Sequence, residues 1–123
     1  CEIIDGILPL VPDNKKETAI KIRNIGEFIG RTAQTTINIK EWYQIRVFLP
    51  EKSGDEKNKM LDGLLEIAKR EKQNALDTIP LVEFDSRLGF EPSMEYMCDK
   101  EHLLHKIEAT KAVLETELAE YLK

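Results

Sequence analysis

Ile22-Arg23-Asn24-Ile25-Gly26-Glu27-Phe28-Ile29-Gly30-Arg31-Thr32-Ala33-Gln34-Thr35-Thr36-Ile37 is the stretch on which the fold turns. Ile22, Ile25, Ile29, Ala33 and Ile37 recur at spacings of three and four, which is one stripe of an α-helix, and the stripe is expected to face the core. Gly26, Gly30 and the pair Thr35-Thr36 weaken the helix, so two readings stand. Either one helix runs from 14 to 49, or it breaks near 31–38, where Thr35, Ile37 and Ile39 alternate like a short strand. A lone strand has nothing to pair with, which favours the long helix. Asn14 is expected to cap it, with Glu17 completing a capping box, and Leu49-Pro50 ends it. Ile39, Trp42, Ile45 and Phe48 leave the main stripe, as in a helix buried on several sides. Trp42 and Tyr43 are interface candidates, against the alternative that they are ordinary packing.

Working outward, Glu51 to Asp55 reads as a charged turn, and Ser53 or Asp55 as the cap of a second helix over 54–83. Its stripe is Leu61, Leu64, Leu65, Ala68, Ala75, Leu76, Ile79 and Val82, and Lys72 within it is expected to extend its head to water. Pro80 is expected to kink or end this helix near Thr78-Ile79. Lys69-Arg70-Glu71-Lys72 reads as a solvated face. Residues 84–98 lack a helical period and carry Asp, Ser, Gly and Pro, so they read as a long ordered loop. Asp99 caps a last helix over 99–122, with Leu103, Ile107, Leu114, Leu118 and Tyr121 on one face and Leu104 and Leu122 at its edge. Upstream, residues 1–12 are an apolar lead-in. The expected fold is all-α: a single domain built as an up-down-up bundle of three long helices, with the long loop before the last.

The chain has 123 residues, 41% hydrophobic and 33% charged, which suits a globular domain with a heavily charged surface. Net charge is −5, with basic and acidic residues interspersed. That disfavours nucleic acid, whose binders present a basic patch. No stretch approaches the ~20 apolar residues of a membrane span. Cys1 in place of methionine is expected to mark a processed chain or a piece of a larger one. The localisation, cytoplasmic or secreted with a parent protein, stays open.

The 83–96 segment concentrates Glu83, Asp85, Arg87, Glu91 and Glu95 with Phe84, Phe90 and Tyr96. Carboxylates beside aromatic rings suit carbohydrate: oxygens accept hydroxyl hydrogen bonds and rings stack on sugar faces. Asp85, Arg87, Glu91, Glu95 and Tyr96 are therefore the candidate ligand-binding residues. The competing reading is structural: Asp85 pairs with Arg87 to brace the loop, while Leu88 and Phe90 plug the end of the bundle. Cys98, His102 and His105 have zinc-like spacing, but Asp99 as a cap takes Cys98 out of the helix and only three ligands remain. No metal, cofactor or catalytic residue is assigned, and no nucleophile motif accompanies the histidines.

Two blocks carry a resemblance. Ile29-Gly30-Arg31-Thr32-Ala33-Gln34-Thr35-Thr36-Ile37-Asn38-Ile39-Lys40-Glu41-Trp42, and Ala75 to Tyr96 with its core Glu83-Phe84-Asp85-Ser86-Arg87-Leu88-Gly89-Phe90-Glu91-Pro92-Ser93-Met94-Glu95-Tyr96, resemble the C-terminal helical segment of large bacterial glycoside-hydrolase-like proteins with hexosaminidase- and glucuronidase-like architectures. The resemblance covers the chain from about Asn14 onward. It implies a non-catalytic accessory or structural domain, since the catalytic carboxylates of such proteins belong to a barrel of ~200 residues or more. The implied partner is the rest of a parent chain or a second copy, with carbohydrate as a ligand of the loop. A helical bundle that binds other proteins through Trp42-Tyr43 is the alternative function.

Overall fold

The structure is a computed structural model, and it describes residues 2–89 and 97–118. The described residues are all-α and contain no β-strand. Four α-helices follow one another: α1 (Glu2–Ile7), α2 (Asp13–Phe48), α3 (Gly54–Phe84) and α4 (Lys100–Ala112). Short 3-10 turns at Leu8–Leu10, Leu49–Glu51 and Ser86–Gly89 join them, and a π-helical turn over Val113–Glu117 extends α4. Three long helices are thus not what forms. Two are long, at 36 and 31 residues, α4 has 13, and the lead-in folds into a helix of six.

Helix α2 is continuous through its weak residues. Thr32 and Thr36 turn their hydroxyls onto the carbonyls of Phe28 and Thr32, four residues back, so neither competes with the helix from outside. The capping box does not form. Pro12 stands at the N-cap with no side-chain bond, Asp13 opens the first turn beside Lys16, and Glu17 pairs with Lys21. A proline at this point leaves the early amides to water, and Asp13 supplies the negative charge that the helix N-terminus favours.

Helix α3 opens at Gly54, the described residue with positive φ (58°), a conformation that a side chain would strain. Pro80 does not end it: the helix continues to Phe84. Proline removes the bond to the carbonyl of Leu76, and both Leu76 and Pro80 are exposed, on a side of α3 that solvent reaches. Leu76 is accordingly outside the core stripe expected to hold it. Asp99 caps α4 as expected, accepting from the His102 amide at 2.9 Å.

Helix α3 is the centre of the fold, with α2 and α4 packed against it. Two apolar clusters tie it to its neighbours. Ala75, Val82, Cys98, Leu103 and Ile107 form one, with Phe28, Ile79 and Leu88 against it. Leu61, Leu64 and Leu118 form the other, with Trp42, Ile45 and Val113 at its edge. Burying each such aliphatic side chain contributes about 1.5–3 kcal/mol.

The largest departure from expectation concerns α2. Its buried residues are Asn24 and Asn38, both polar. Ile22, Ile25, Ile29, Ala33 and Ile37, the expected core stripe, face outward, with Ile22 56% and Ile29 63% exposed. The helix turns its polar face inward because α3 presents matching polar groups.

Candidate functional site

Seen from α2, the seam with α3 is a ladder of polar side chains at spacings of three and four. Arg31, Thr35 and Asn38 on α2 meet Glu71, Asn74 and Asp77 on α3. Arg31 reaches Asp77 at 3.2 Å, and Thr35 donates to Glu71 at 2.9 Å. Asn74 donates to the Arg31 carbonyl at 2.9 Å and to the Thr35 hydroxyl at 3.0 Å. Asn38, 1% exposed, accepts from Gln34 at 2.8 Å and from Arg70 at 2.7 Å, and donates to Glu71. Lys106 of α4 completes the set by pairing with Glu71. Glu71 therefore belongs to an interface and not to a solvated face, while the exposed Arg70 reaches from that face to Asn38 and Glu41. Every buried side-chain nitrogen and oxygen among the described residues has a partner, which a half-buried polar seam requires if it is to be stable.

Next to this seam an open groove of about 280 Å³ runs between α2 and α4 over α3. Trp42, Ile39, Ile67 and Val113 line it, and Asn38, Glu71 and Lys106 close one end. Those three polar groups are bonded to one another, so the groove offers a ligand apolar walls but no free charge. A second hollow of about 420 Å³ lies beside Pro80 and Phe84. Its ionic groups run as a chain in which Arg23 bridges Asp5 and Glu27, and Arg31 bridges Glu27 and Asp77.

Asp85 and Arg87, the described pair of the expected ligand-binding segment, are joined to each other. Arg87 donates from Nε at 2.8 Å and from Nη2 at 2.6 Å to the two oxygens of Asp85, and its backbone amide adds a third bond at 3.2 Å. The Asp85 side chain is buried while Arg87 lies open to solvent. The side-chain hydrogen bonds from Arg87 hold the Asp85 carboxyl down at about 2, so it stays ionised, with both oxygens engaged by Arg87. The pair braces the turn that starts at Ser86. Glu83 reaches across to Lys100 at 2.5 Å. Glu91, Glu95 and Tyr96 lie outside the described residues, as does Phe90. Of the zinc-like set, Cys98 is buried in the core and His102 Nδ1 sits 2.7 Å from Asp99, so the two diverge. Trp42 and Tyr43 also separate: Trp42 lies against the Leu61 cluster, and Tyr43 is 68% exposed.

What remains open is the outer face of α2. Between residues 18 and 45 its exposed positions include Ile22, Ile25, Ile29, Ala33, Ile37, Ile39 and Tyr43, and Lys40 is the one charge among them. Lys21, Arg23, Glu27, Arg31 and Glu41 all lie on the half-buried flanks. A monomer's largest exposed apolar patch is ordinarily about 300–600 Å². The isoleucines, Tyr43 and Val47 here expose roughly that much in a single band along one helix. Among the described residues no helix is long and apolar enough to cross a membrane. Compared with models of protein families, with curated proteins and with solved structures, the chain matches none.

Proposed function

We propose that this chain is a non-catalytic helical accessory module that docks on another protein surface through the outer face of α2. The observation that carries the reading is the band of exposed isoleucines with one charge over 28 residues, on a helix whose polar face is already occupied by α3. An apolar band of this extent is costly in water, and the largest apolar patch of a domain is often functional. We read α2, α3 and α4 as the arms of an up-down-up bundle, in which α3 supplies rigidity and α2 supplies the contact. The resemblance of the 29–42 and 75–96 blocks to the C-terminal helices of bacterial glycoside-hydrolase-like proteins supports a carbohydrate-related setting. The saturation of Asp85 by Arg87 favours a structural role for the loop over acid–base work.

The test is the pair Ile25→Glu and Ile29→Glu, melted together in nanomolar protein with Trp42 fluorescence as the signal. A solvent-facing band predicts a melting temperature within about 3 °C of the parent, because surface substitutions stay near ±0.5 kcal/mol. Binding of a hydrophobic dye should fall by at least half. Leu64→Ala, at a 2% exposed core position, is the contrast and should cost about 2–5 kcal/mol. A loss of that size from the glutamate pair would place the band inside the molecule and refute the reading.

A further inference from the structure

We infer that the surface docked on this face is a second copy of the same chain, its α2 lying antiparallel to the first about a two-fold axis at the Ile29–Gly30 peptide. This rests on the docking reading above and adds the identity and register of the partner. Three outward pairs map onto one another under that reversal, while Ile25 falls opposite Gln34 and Tyr43 opposite Lys16, at the margin of the paired face. Ile22 falls opposite Ile37, Gly26 opposite Ala33, and Ile29 opposite Gly30. Branched side chains thus meet at the outer layers, small residues meet between them, and at the centre each isoleucine enters the space above a glycine. A Cβ added at Gly30 meets nothing within 4 Å in the single chain, so that space is open to a partner. Self-complementarity of this kind is what an isologous two-fold interface requires.

Charge agrees with it. The molecule carries −5 overall, yet this band is uncharged apart from Lys40, which falls opposite Ala19. The Lys40 residues of two copies would stand about 30 Å apart along the axis, beyond the screening length at physiological salt. The reversal also overlaps α2 nearly end to end over its 36 residues, about 54 Å. Two bands of about 300–600 Å² each bring together roughly 600–1,200 Å² in total, the size of the smaller specific protein interfaces.

Sedimentation equilibrium of the full chain from 1 to 200 µM tests the association, and engineered disulfides test the register. The expected result is a dimer whose dissociation constant rises at least tenfold in Gly30→Leu, although leucine is the better helix former in the monomer. In a Cys1→Ser background, with Cys98 buried, mixing Ile22→Cys with Ile37→Cys chains should give the cross-linked heteropair on mild oxidation. Ile22→Cys chains alone should not cross-link, because their sulfurs would be more than about 20 Å apart. A chain that is monomeric at 200 µM overturns the inference, as does faster joining of Ile22→Cys to itself. Neither outcome alters the nanomolar melting and dye result, so failure of self-pairing and failure of docking are told apart.

Discussion

Replacing Asn38 by alanine should loosen the contact between α2 and α3 at its middle. The carboxamide is almost wholly enclosed, and two of its three side-chain partners, Arg70 and Glu71, are charged. Hydrogen bonds to charged groups contribute about 1.5–3 kcal/mol each and neutral ones about 0.5–1.5. The partners are not stranded, however. Arg70 keeps Glu41, and Glu71 keeps Thr35 and Lys106, so the loss is nearer to about 3 kcal/mol than to the full sum. Alanine's higher helix propensity offsets about 0.6 kcal/mol, leaving a net loss of about 2.5 kcal/mol. Urea unfolding followed at 222 nm reads this directly. With a slope near 1.5 kcal/mol per molar, the midpoint should fall by about 1.7 M at unchanged slope. A fall below about 0.4 M would mean that water serves Arg70 and Glu71 as well as Asn38 does, and that the polar ladder does not hold α2 in place.

Two further outcomes follow from the turn between α3 and α4. Asp85 has a folded-state carboxyl held near 2 against an ordinary 3.8, so its contribution is fully present above about pH 4 and fades as the pH falls toward 2. The stability gap between the parent and Asp85→Asn, measured by acid titration of the melting temperature, should be constant above pH 5 and narrow between pH 4 and 2; a gap of constant width would remove the Arg87 pair as its cause. Gly89→Ala puts a Cβ 2.5 Å from the Cys98 carbonyl oxygen, where the Gly89 carbonyl also accepts the Cys98 amide at 2.8 Å. Backbone has to shift against backbone, so a loss of about 2–3 kcal/mol is expected, read as a melting point lower by about 10 °C; an unchanged melting point would show that this close approach carries no weight.

Much of the framework was legible in the residues themselves. Pro12, Pro50, Gly54 and Asp99 punctuate the chain near the observed ends of α2, α3 and α4, and the absence of strands follows from the long three-and-four periods. The orientation of α2 was not legible. A periodic band of isoleucine says that one side of a helix is apolar, but not whether a neighbour in the same chain covers it. The counter-signal was present in two weaker periods, Arg31-Thr35-Asn38 and Glu71-Asn74-Asp77. Each is unremarkable within its own window, and the two gain meaning when paired across 33 to 46 residues. Helix α3 runs past Pro80 for a related reason: the rule concerns the bond that proline removes, and the exposure of Leu76 and Pro80 leaves the freed carbonyl's surroundings open to solvent. For the candidate site, bracing of Asp85 by Arg87 was one of two readings of a motif only two residues apart, and the pairing of the two side chains agrees with it.

The Asn38–Glu71–Lys106 junction has a consequence for alignment. Two helices of 36 and 31 residues packed leucine on leucine can slide by one turn, about 5.4 Å, into contacts nearly as good as before. A carboxylate that needs an amide from one side and an ammonium from another does not tolerate that step, since the shifted arrangement leaves it enclosed without either partner. One amino acid in the middle of each helix thus acts as a detent, setting where the two rods stop relative to each other while the apolar contacts elsewhere supply most of the adhesion.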